Sequence, residues 1–479
     1  MSGILADEVV ERLRRYDQGH VLRWWDELDA EQQNCLVQQI KAVNLELIQE
    51  LVSSKTGPDE STNGSNSVAE RAMRSTPPVP LVRLPQSLQD EEKWAEAILC
   101  GQQIIANGQV GVILVAGGQG VRLGFPHPKG MFPIGPVSYR SVFQIFSEQV
   151  LARSRQGGGV AIPYYIMTSD ATHTETVDFF TEHDFFGMNR SDVCFFQQGN
   201  MPAVDHSMGR LLLSDKANLA TSPDGHGGVL AALHRVGLLD EMRSRKIDYL
   251  FYHQVDNPAT KVCDPAFLGF HALYDSDMST KVVAKKSAEE KMGIVVGVDG
   301  QTQIIEYSDL PDQLACQTDE DGVLLLWAGN TATHVFSRAF LQRLVDEDLA
   351  LTFHFAQKAV PFLDDQGNLV RPDKPNAFKF ERFIFDALHY ATCALVLEAH
   401  RATEFLPVKN KRQDENTSDT PENVRESLTS MYADWLRLAG AQVDDREPVE
   451  ISPLFALDAD QVREKVQPGS QFSGPILLS

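Results

Sequence analysis

The stretch VGVILVAGGQGVRLGFPHPKGMFPIG, residues 110–135, decides the fold class of this chain. It opens with six apolar and mostly β-branched residues, Val110–Val115, which are typical of a buried strand. Three glycines follow at once (Gly117, Gly118 and Gly120), and they let the backbone and its N–H groups approach a ligand closely. A loop of this kind after a strand indicates an open α/β sheet, which binds ligands at the carboxyl ends of its strands.

The residues around this stretch alternate between strand and helix patterns. Further short apolar runs predict strands at Tyr164–Ser169, Val193–Phe196 and Tyr249–Val255. Apolar residues at helical spacing predict helices over Asp90–Asn107 and Ser141–Gln156. Because strands and helices follow one another in turn, we expect a mostly parallel sheet with helices on both faces.

Two later segments depart from this alternation. Three strand-like runs separated by short turns predict an antiparallel insertion: Lys281–Lys285, Gly293–Val298 and Gln303–Tyr307. The segment Asp386–His400 is expected to be a helix.

The regions outside the sheet suggest three domains. Residues 1–52 carry apolar side chains at helical spacing, including Ile4 and Leu5, and a stretch rich in Ser, Gly, Asn and Pro suggests a flexible linker at about 53–75. We therefore expect an N-terminal helical region at 1–95, a central nucleotide-binding domain at 96–400 and a small C-terminal domain at 401–479.

Composition narrows the class of protein. The 479 residues include 43 Lys and Arg against 66 Asp and Glu, a formal net charge of −23, so neither a nucleic acid nor a membrane surface is an expected partner. The six cysteines are scattered without a C-x-x-C, which argues against a zinc ribbon or a disulfide framework. Charged residues interrupt the first apolar stretch, which argues against a signal peptide. We expect a cytoplasmic protein, and the sequence leaves its oligomeric state open.

The cations of the glycine loop point to phosphate. Arg122 can bind phosphate as a planar fork and Lys129 as a point charge. The spacing is not G-x-G-x-x-G, since Leu123 stands at the third position, and this disfavours an NAD-dependent dehydrogenase. The order Pro128-Lys129-Gly130 also differs from the Gly-Lys-Ser/Thr of a P-loop.

The loop GGQGVRLGxxxPKG resembles the signature GGxGTRLGxxxPK of the UTP-dependent sugar-1-phosphate uridylyltransferases, also called the UDP-sugar pyrophosphorylase family. The eukaryotic-type UDP-N-acetylglucosamine pyrophosphorylases are the best-matching branch. Further blocks resemble the family in chain order: YYIMTSDAT, FFQQGNMPA, SPDGHGG, QVDNP, IIEYSDL, WAGNTATHVF, FKFERFIFDAL and EFLPVKN. The resemblance spans roughly residues 110–410 and implies a Rossmann-like, GT-A-like nucleotidyltransferase fold.

The resemblance also implies a reaction. UTP and an N-acetylhexosamine 1-phosphate would give pyrophosphate and UDP-N-acetylglucosamine, with UDP-N-acetylgalactosamine as a further product, and Mg²⁺ (or Mn²⁺) would assist. Two alternatives stay open: a UDP-glucose or broad-specificity UDP-sugar pyrophosphorylase, and a non-catalytic nucleotide-sugar binder.

Finally, the resemblance assigns roles to individual residues. The residues implied to bind UTP are Val115, Ala116, Gly117, Gly118, Lys129, Gln197, Gln198, Gly225, Asp256 and Lys379, with Asp256 also a ligand of the metal. The residues implied to bind the sugar phosphate are His226, Gly293, Glu306, Tyr307, Asn330 and Lys409. Arg122, Lys129 and Lys409 form the implied catalytic group. Two positions depart from the family pattern, because Val121 replaces a Thr and His226 replaces an Asn.

Overall fold

The structure is a computed structural model that describes residues 7–56, 68–414, 417–444 and 446–479. The α-helices are α1 (Asp7–Arg15), α2 (Ala30–Ala42), α3 (Leu45–Thr56), α4 (Val68–Met73), α5 (Leu88–Ala106), α6 (Val142–Gln156), α7 (His173–Glu182), α8 (Gly228–Arg235), α9 (Leu238–Ser244), α10 (Pro265–Leu273), α11 (Asp312–Ala315), α12 (Arg338–Asp346), α13 (Arg401–Glu404), α14 (Pro421–Leu438) and α15 (Ala459–Lys465). Short 3₁₀ helices lie at Gly19–Leu22, Trp25–Glu27, Val121–Leu123, Lys129–Met131, Asp184–Gly187, Arg190–Asp192 and Ile384–Tyr390.

The strands are β1 (Leu81–Val82), β2 (Val110–Val115), β3 (Tyr164–Thr168), β4 (Val193–Gln197), β5 (Asn200–Pro202), β6 (Val204–Asp205), β7 (Thr221–Pro223), β8 (Tyr249–Gln254), β9 (Met278–Ala284), β10 (Ile294–Val298), β11 (Gln301–Ile305), β12 (Ala328–Ser337), β13 (Phe353–Lys358), β14 (Phe362–Leu363), β15 (Leu369–Val370), β16 (Ala377–Arg382), β17 (Val396–Glu398), β18 (Gln442–Val443), β19 (Val449–Ile451), β20 (Gln471–Phe472) and β21 (Ile476–Leu478).

The chain forms two compact units, and the larger one contains the main sheet. The larger unit comprises the described residues of 66–197, 229–350 and 387–479. Its strands follow the order β1-β17-β9-β12-β8-β2-β3-β4. All neighbours pair in parallel except β12, which is antiparallel to both β8 and β9. The prediction of a mostly parallel sheet is therefore confirmed.

Two of the three runs of the expected antiparallel insertion form the hairpin of β10 and β11. These strands pair antiparallel from Ile294 opposite Ile305 to Val298 opposite Gln301. Ile294 also pairs with Gly329 of β12, so the hairpin is attached to the main sheet. The placement of the first run, Lys281–Lys285, in this insertion is wrong, because the run lies largely in β9 of the main sheet and pairs in parallel with β17.

Helices cover both faces of this sheet, as predicted. On one face Val112 and Leu114 of β2 share an apolar core with Phe143 of α6 and Phe267 of α10. Tyr165 of β3 is next to the core residue Tyr164 and therefore points to the other face, where its hydroxyl donates to Glu241 of α9 at 2.7 Å. Ser141 caps α6 by accepting from the Gln144 N–H.

The smaller unit comprises the described part of 1–65 with Gln198–Gly228 and Leu351–Asp386. Here α1, α2 and α3 share one apolar core with the three-stranded sheet β13-β16-β6. Leu13, Leu36 and Phe380 are fully buried in it. Helices are thus present where the N-terminal spacing predicts them, while Ile4 and Leu5 lie outside the described residues.

The domain boundaries stay a prediction. Of the expected linker, residues 53–56 belong to α3, residues 68–73 form α4, and residues 57–67 lie outside the described chain. The C-terminal residues after Ala387 belong to the larger unit. There the buried Glu450 carboxylate accepts from the Val137 and Ser138 N–H groups at 2.8 and 2.7 Å.

The expected helix over Asp386–His400 is wrong. The segment forms a 3₁₀ helix at Ile384–Tyr390 and then β17, which lies between β1 and β9 in the sheet. Leu395, Val396 and Leu397 are all fully buried. A short run that is apolar on every side fits a central strand as well as a buried helix, so periodicity alone does not separate the two.

No helix among the described residues is both long and apolar enough to cross a lipid bilayer.

Candidate nucleotide and phosphate site

The glycine loop begins where three parallel strands end side by side. The Val115 carbonyl of β2 accepts from the Val255 N–H at 3.1 Å, just after β8. Ala116 donates its N–H to the Met167 carbonyl of β3 at 2.8 Å, and the Ser169 hydroxyl donates to the Gly117 carbonyl at 2.8 Å. The predicted UTP-binding backbone therefore lies at the carboxyl edge of the sheet, where open α/β sheets bind ligands.

The loop then folds back and brings Lys129 next to Gly118. The Lys129 N–H donates to the Gly118 carbonyl at 3.1 Å. Gly130 makes this path feasible, because a Cβ atom at that position would lie only 2.2 Å from the Phe143 ring of α6. The Pro128-Lys129-Gly130 sequence thus serves a close approach between the loop and the core.

Three cations and one carboxylate gather beside this loop. Burial lowers the pKa of Lys129; the Asp256 carboxylate opposes that shift, and the positive charges of Lys409 and Arg122 add to it. Such mutual effects require these charged groups to lie close together. Neither Lys129, Arg122 nor Lys409 forms an ion pair with a residue in the described part of the chain. The structure thus brings together all of the predicted catalytic cations.

Backbone contacts fix Lys409 in this cluster. The Val408 N–H donates to the Asp256 carbonyl at 2.7 Å. Two residues after Lys409, the Lys411 N–H donates to the Arg122 carbonyl at 3.1 Å. The segment around Lys409 is therefore held against both the Asp256 turn and the glycine loop.

The residues at this edge fit a phosphate-bound magnesium better than a metal site made by protein alone. Within the described ranges no group of three or more His, Cys, Asp or Glu side chains could hold a metal ion. Asp256 is a partly buried carboxylate beside the cations. Mg²⁺ is commonly held by one or two carboxylates together with substrate phosphates, so a single Asp is a sufficient protein ligand.

The residues predicted to bind the sugar meet at the β10–β11 hairpin and β12. The Asn330 N–H donates to the Gly293 carbonyl at 2.8 Å. A Cβ atom on Gly293 would come within 3.0 Å of Glu306 Oε1, so any larger residue there would crowd that carboxylate. Tyr307 is 46% exposed, and Asn330 Oδ1 accepts from the Ala332 N–H at 2.9 Å. The structure brings these four predicted residues together.

Gln197 lies at the end of β4, next to β3. Its Nε2 donates to Asp170 Oδ1 at 3.3 Å, and its carbonyl accepts from the Arg235 guanidinium at 2.7 Å. The side chain is partly buried and held at the carboxyl edge of the sheet.

The other predicted residues belong to the smaller unit. Gln198 is 7% exposed, and Lys379 of β16 is partly buried opposite Ala356. Gly225 has a φ of +84°, and a Cβ atom there would lie 2.4 Å from the Arg382 carbonyl, so only glycine fits.

His226, the departure from the family pattern, lies in an aromatic setting. Its ring stacks on Phe383 at 5.3 Å and lies 5.7 Å from Phe385. Its Nδ1 accepts from the Ile384 N–H at 3.3 Å, which leaves the proton of the neutral ring on Nε2. The neutral His226 ring thus carries one N–H donor, whereas an Asn amide carries two.

Sequence reasoning missed Asn257 and Ser169. The sequence Asp256-Asn257-Pro258 is typical of a turn, and the Asn257 carbonyl does accept from the Thr260 N–H at 3.1 Å. Its side chain, however, is 3% exposed and bonds to the backbone of 404–406. The residues around Asn257 give no indication of a hydrogen-bond partner about 147 positions away in the sequence. Ser169 could have been found, since it ends a predicted strand beside the glycine loop.

A mostly parallel sheet that carries a glycine loop and clustered cations at its carboxyl edge defines a nucleotide-binding α/β protein. The family model described as UTP–glucose-1-phosphate uridylyltransferase matches residues 59–461. The chain therefore belongs to this family of UTP-dependent sugar-1-phosphate uridylyltransferases, and the predicted class is confirmed.

Individual relatives agree with the family. The chain is 34% identical to UDP-N-acetylhexosamine pyrophosphorylase-like protein 1 of Homo sapiens, over 98% of this chain and 96% of that protein. It is 36% identical to UDP-N-acetylglucosamine pyrophosphorylase of Saccharomyces cerevisiae, over 83% of each. A crystal structure of the Trypanosoma brucei uridine diphosphate N-acetylglucosamine pyrophosphorylase shares the fold, with a TM-score of 0.79, 24% identity, and coverage of 97% of this chain and 95% of that one.

Proposed function

We propose that this chain transfers the uridylyl group of UTP to an N-acetylhexosamine 1-phosphate and releases pyrophosphate. The observation that carries the proposal is the meeting of Arg122, Lys129 and Lys409 with Asp256 at the carboxyl edge of the sheet. An acidic chain with a net charge of −23 repels polyanions over most of its surface, so cations kept free of ion pairs at one place suit two phosphorylated substrates.

Uridylyl transfer requires mainly that the two substrates are positioned and that the charge of their phosphates is neutralised. A phosphate oxygen of the sugar phosphate attacks the α-phosphorus of UTP, a P–O bond forms, and the bond to the β-phosphate oxygen breaks as pyrophosphate leaves. Arg122 and Lys129 would neutralise the departing phosphates, and Lys409 the attacking phosphate. At an effective dielectric constant of about 20, two unit charges ~4 Å apart interact by about 4 kcal/mol, so each cation has a large effect.

Asp256 would hold the metal. A bound Mg²⁺, or Mn²⁺ in its place, would neutralise the phosphate oxygens that carry the developing charge. Asp256 itself would orient that ion, and its charge also favours the protonated form of Lys129.

The remaining residues supply recognition. The backbone from Val115 to Gly118 would cradle the nucleotide, with Lys379 on its phosphates. A Gln197 or Gln198 amide, together with the backbone at Gly225, can match the acceptor–donor–acceptor edge of uracil.

The sugar would be bound by the group around Gly293. Glu306 can accept hydrogen bonds from two sugar hydroxyls, and Tyr307 and Asn330 border it on the same hairpin and strand. His226 would donate one hydrogen bond to the sugar. The names of the human and yeast relatives support an N-acetylhexosamine over glucose.

A cytoplasmic location is part of the proposal. All six cysteines are free thiols, as is usual in a reducing compartment.

The test is a steady-state assay of pyrophosphate release with UTP and a panel of sugar phosphates: GlcNAc-1-P, GalNAc-1-P and Glc-1-P. Turnover with one or both N-acetylhexosamine phosphates is expected, and it should vanish with EDTA and return with Mg²⁺. Exclusive use of Glc-1-P would overturn the substrate assignment in favour of a UDP-glucose pyrophosphorylase. UTP binding without turnover on any sugar phosphate would instead favour a nucleotide-sugar binder.

A further inference from the structure

The side chain of Asn257, the residue after Asp256, is bonded at both of its polar ends. Its Nδ2 donates to the Glu404 carbonyl at 2.7 Å, and its Oδ1 accepts from the Leu406 N–H at 2.9 Å. The residue is 3% exposed, so little water can replace either bond. A buried amide that is satisfied in this way holds the backbone it contacts in one arrangement.

These bonds lie at the start of the segment that carries Lys409. Just beyond Leu406, the Val408 N–H donates to the Asp256 carbonyl at 2.7 Å. The side chain of Asn257 and the backbone of Asp256 therefore bind the same short segment at successive positions. Lys409 is the next residue, and its positive charge lowers the pKa of Lys129.

The carboxylate of Glu404 anchors the segment from a second side. It is 10% exposed, pairs with the buried Lys281, and lies 3.1 Å from the Lys261 ammonium. The carbonyl of the same residue is held by Asn257. Glu404 is therefore fixed at both its side chain and its backbone. The segment that runs from Glu404 to Lys409 thus starts from a fixed position.

We propose that Asn257 is a positioning residue that sets Lys409 in register with Asp256. The inference rests on the proposed function, because it assigns Asn257 an effect on catalysis through Lys409. Asn257 bonds to backbone in the described structure and need not touch either substrate. Its removal would let the segment shift, and a misplacement of about 1 Å can cost on the order of 10²-fold in rate.

The experiment is a double-mutant cycle on the full chain with Asn257→Ala, Lys409→Ala and the double variant, each assayed for kcat with UTP, GlcNAc-1-P and Mg²⁺. Asn257→Ala should lower kcat by roughly 10- to 100-fold. The double variant should be no slower than Lys409→Ala alone, because both changes disable the same cation. Multiplied effects would overturn the inference and leave the proposed function intact. A wild-type kcat in Lys409→Ala would instead overturn the role given to Lys409, and the inference with it.

Gln18→Ala is the matched control. Gln18 is also a buried amide that is bonded to backbone at both ends: its Nε2 donates to the Gly209 carbonyl at 3.2 Å, and its Oε1 accepts from the Leu211 N–H at 2.8 Å. Its effect on kcat should multiply with that of Lys409→Ala, since both of its bonds go to residues 209–211 of the smaller unit. Coupling as strong as that of Asn257 would mean that any buried hydrogen bond produces the result, and it would overturn the inference.

Asn257→Leu serves if the alanine variant fails to fold. It keeps the volume of the side chain but removes both hydrogen bonds to the backbone of 404–406. Its kcat should fall as that of the alanine variant does, and its effect should disappear in the Lys409→Ala background. An effect that multiplies with that of Lys409→Ala would overturn the inference, because lost packing alone does not depend on Lys409.

Discussion

Lys129 and Lys281 are both lysines of the larger unit, yet their surroundings are opposite. Burial alone would lower the pKa of Lys281, but Asp264 and Glu404 outweigh it and the pKa lies above its usual value. Lys281 is 4% exposed and 2.6 Å from Asp264 Oδ2. The pKa of Lys129 is lowered by burial and by two neighbouring cations, with Asp256 only partly opposing the shift.

The difference separates a structural charge from one that we propose to be functional. A buried lysine with its own carboxylates is already neutralised, and its removal would leave those carboxylates uncompensated. A lysine crowded by cations costs stability unless an anion from outside compensates it, and perturbed groups of this kind concentrate at functional sites. Four predictions test this comparison.

The largest effect is expected at the functional lysine. Lys129→Ala should lower kcat/KM for UTP by roughly 10²- to 10³-fold while the thermal midpoint of unfolding stays unchanged or rises, since a repelled cation is removed. Steady-state kinetics and a thermal melt measure the two quantities. Lys411→Ala is the control, because it removes an exposed lysine near the same loop and should leave both values unchanged. A normal kcat/KM in Lys129→Ala would contradict the functional role that distinguishes Lys129 from Lys281.

Removal of the structural lysine should act on stability. Lys281→Met leaves the buried carboxylates of Asp264 and Glu404 with less compensation, and the free energy of unfolding should fall by about 3–5 kcal/mol. Urea denaturation gives this value. Arg446→Ala, which breaks the exposed pair with Asp444, should leave the denaturation midpoint unchanged. The comparison fails if Lys281→Met is as stable as the wild type.

The pH at which activity falls on the alkaline side should depend on the charged residues around Lys129. Phosphate binding needs the protonated amine, and the lowered pKa means that kcat/KM for UTP falls at a lower pH than an ordinary lysine would give. Lys409→Ala removes a repelling cation and should move this limb to higher pH, whereas Asp256→Asn should move it to lower pH. Uracil also titrates in this region, but equally in every variant. Identical limbs in all three proteins would show that Lys129 does not control the profile.

The smallest expected effect concerns the stability of the fold at acidic pH. Burial would raise the pKa values of Asp264 and Glu404, but Lys281 and Lys261 outweigh it, and both pKa values lie below their usual range. Depressed carboxylate pKa values contribute stability above the unfolded pKa of about 4, and this stability is lost as the pH falls through the folded values. Lys281→Met raises both values, so its stability should begin to fall at a higher pH than that of the wild type. Superimposable acid-unfolding curves would contradict this.

Sequence reasoning succeeded wherever the signal was local. The strand Val110–Val115 was predicted with its bounds, and Ser141–Gln156 was predicted as a helix that the structure places at Val142–Gln156. Patterns of this kind depend on neighbouring residues alone, so one window of sequence contains the whole signal. The order of glycines and cations in one loop was equally visible.

It failed where the decisive contact was distant. Asp386–His400 was predicted as a helix, because its apolar residues do not reveal that β1 and β9 flank Val396–Glu398. The roles of Gln198, Gly225, His226 and Lys379, and of the metal at Asp256, stay predictions that the variants and the assay can decide.

The sequence by itself determined the α/β class, the order of glycines and cations in one loop and the family, because these depend on short patterns of neighbouring residues. The tertiary structure alone decided which charges meet. Lys409 lies close to Lys129 and Asp256, and Lys281 lies close to Asp264 and Glu404. These residues are far apart in the sequence, so no short stretch of it contains both partners. A lysine is therefore neutralised by its own carboxylates or crowded by other cations according to which charged groups the fold brings close to it.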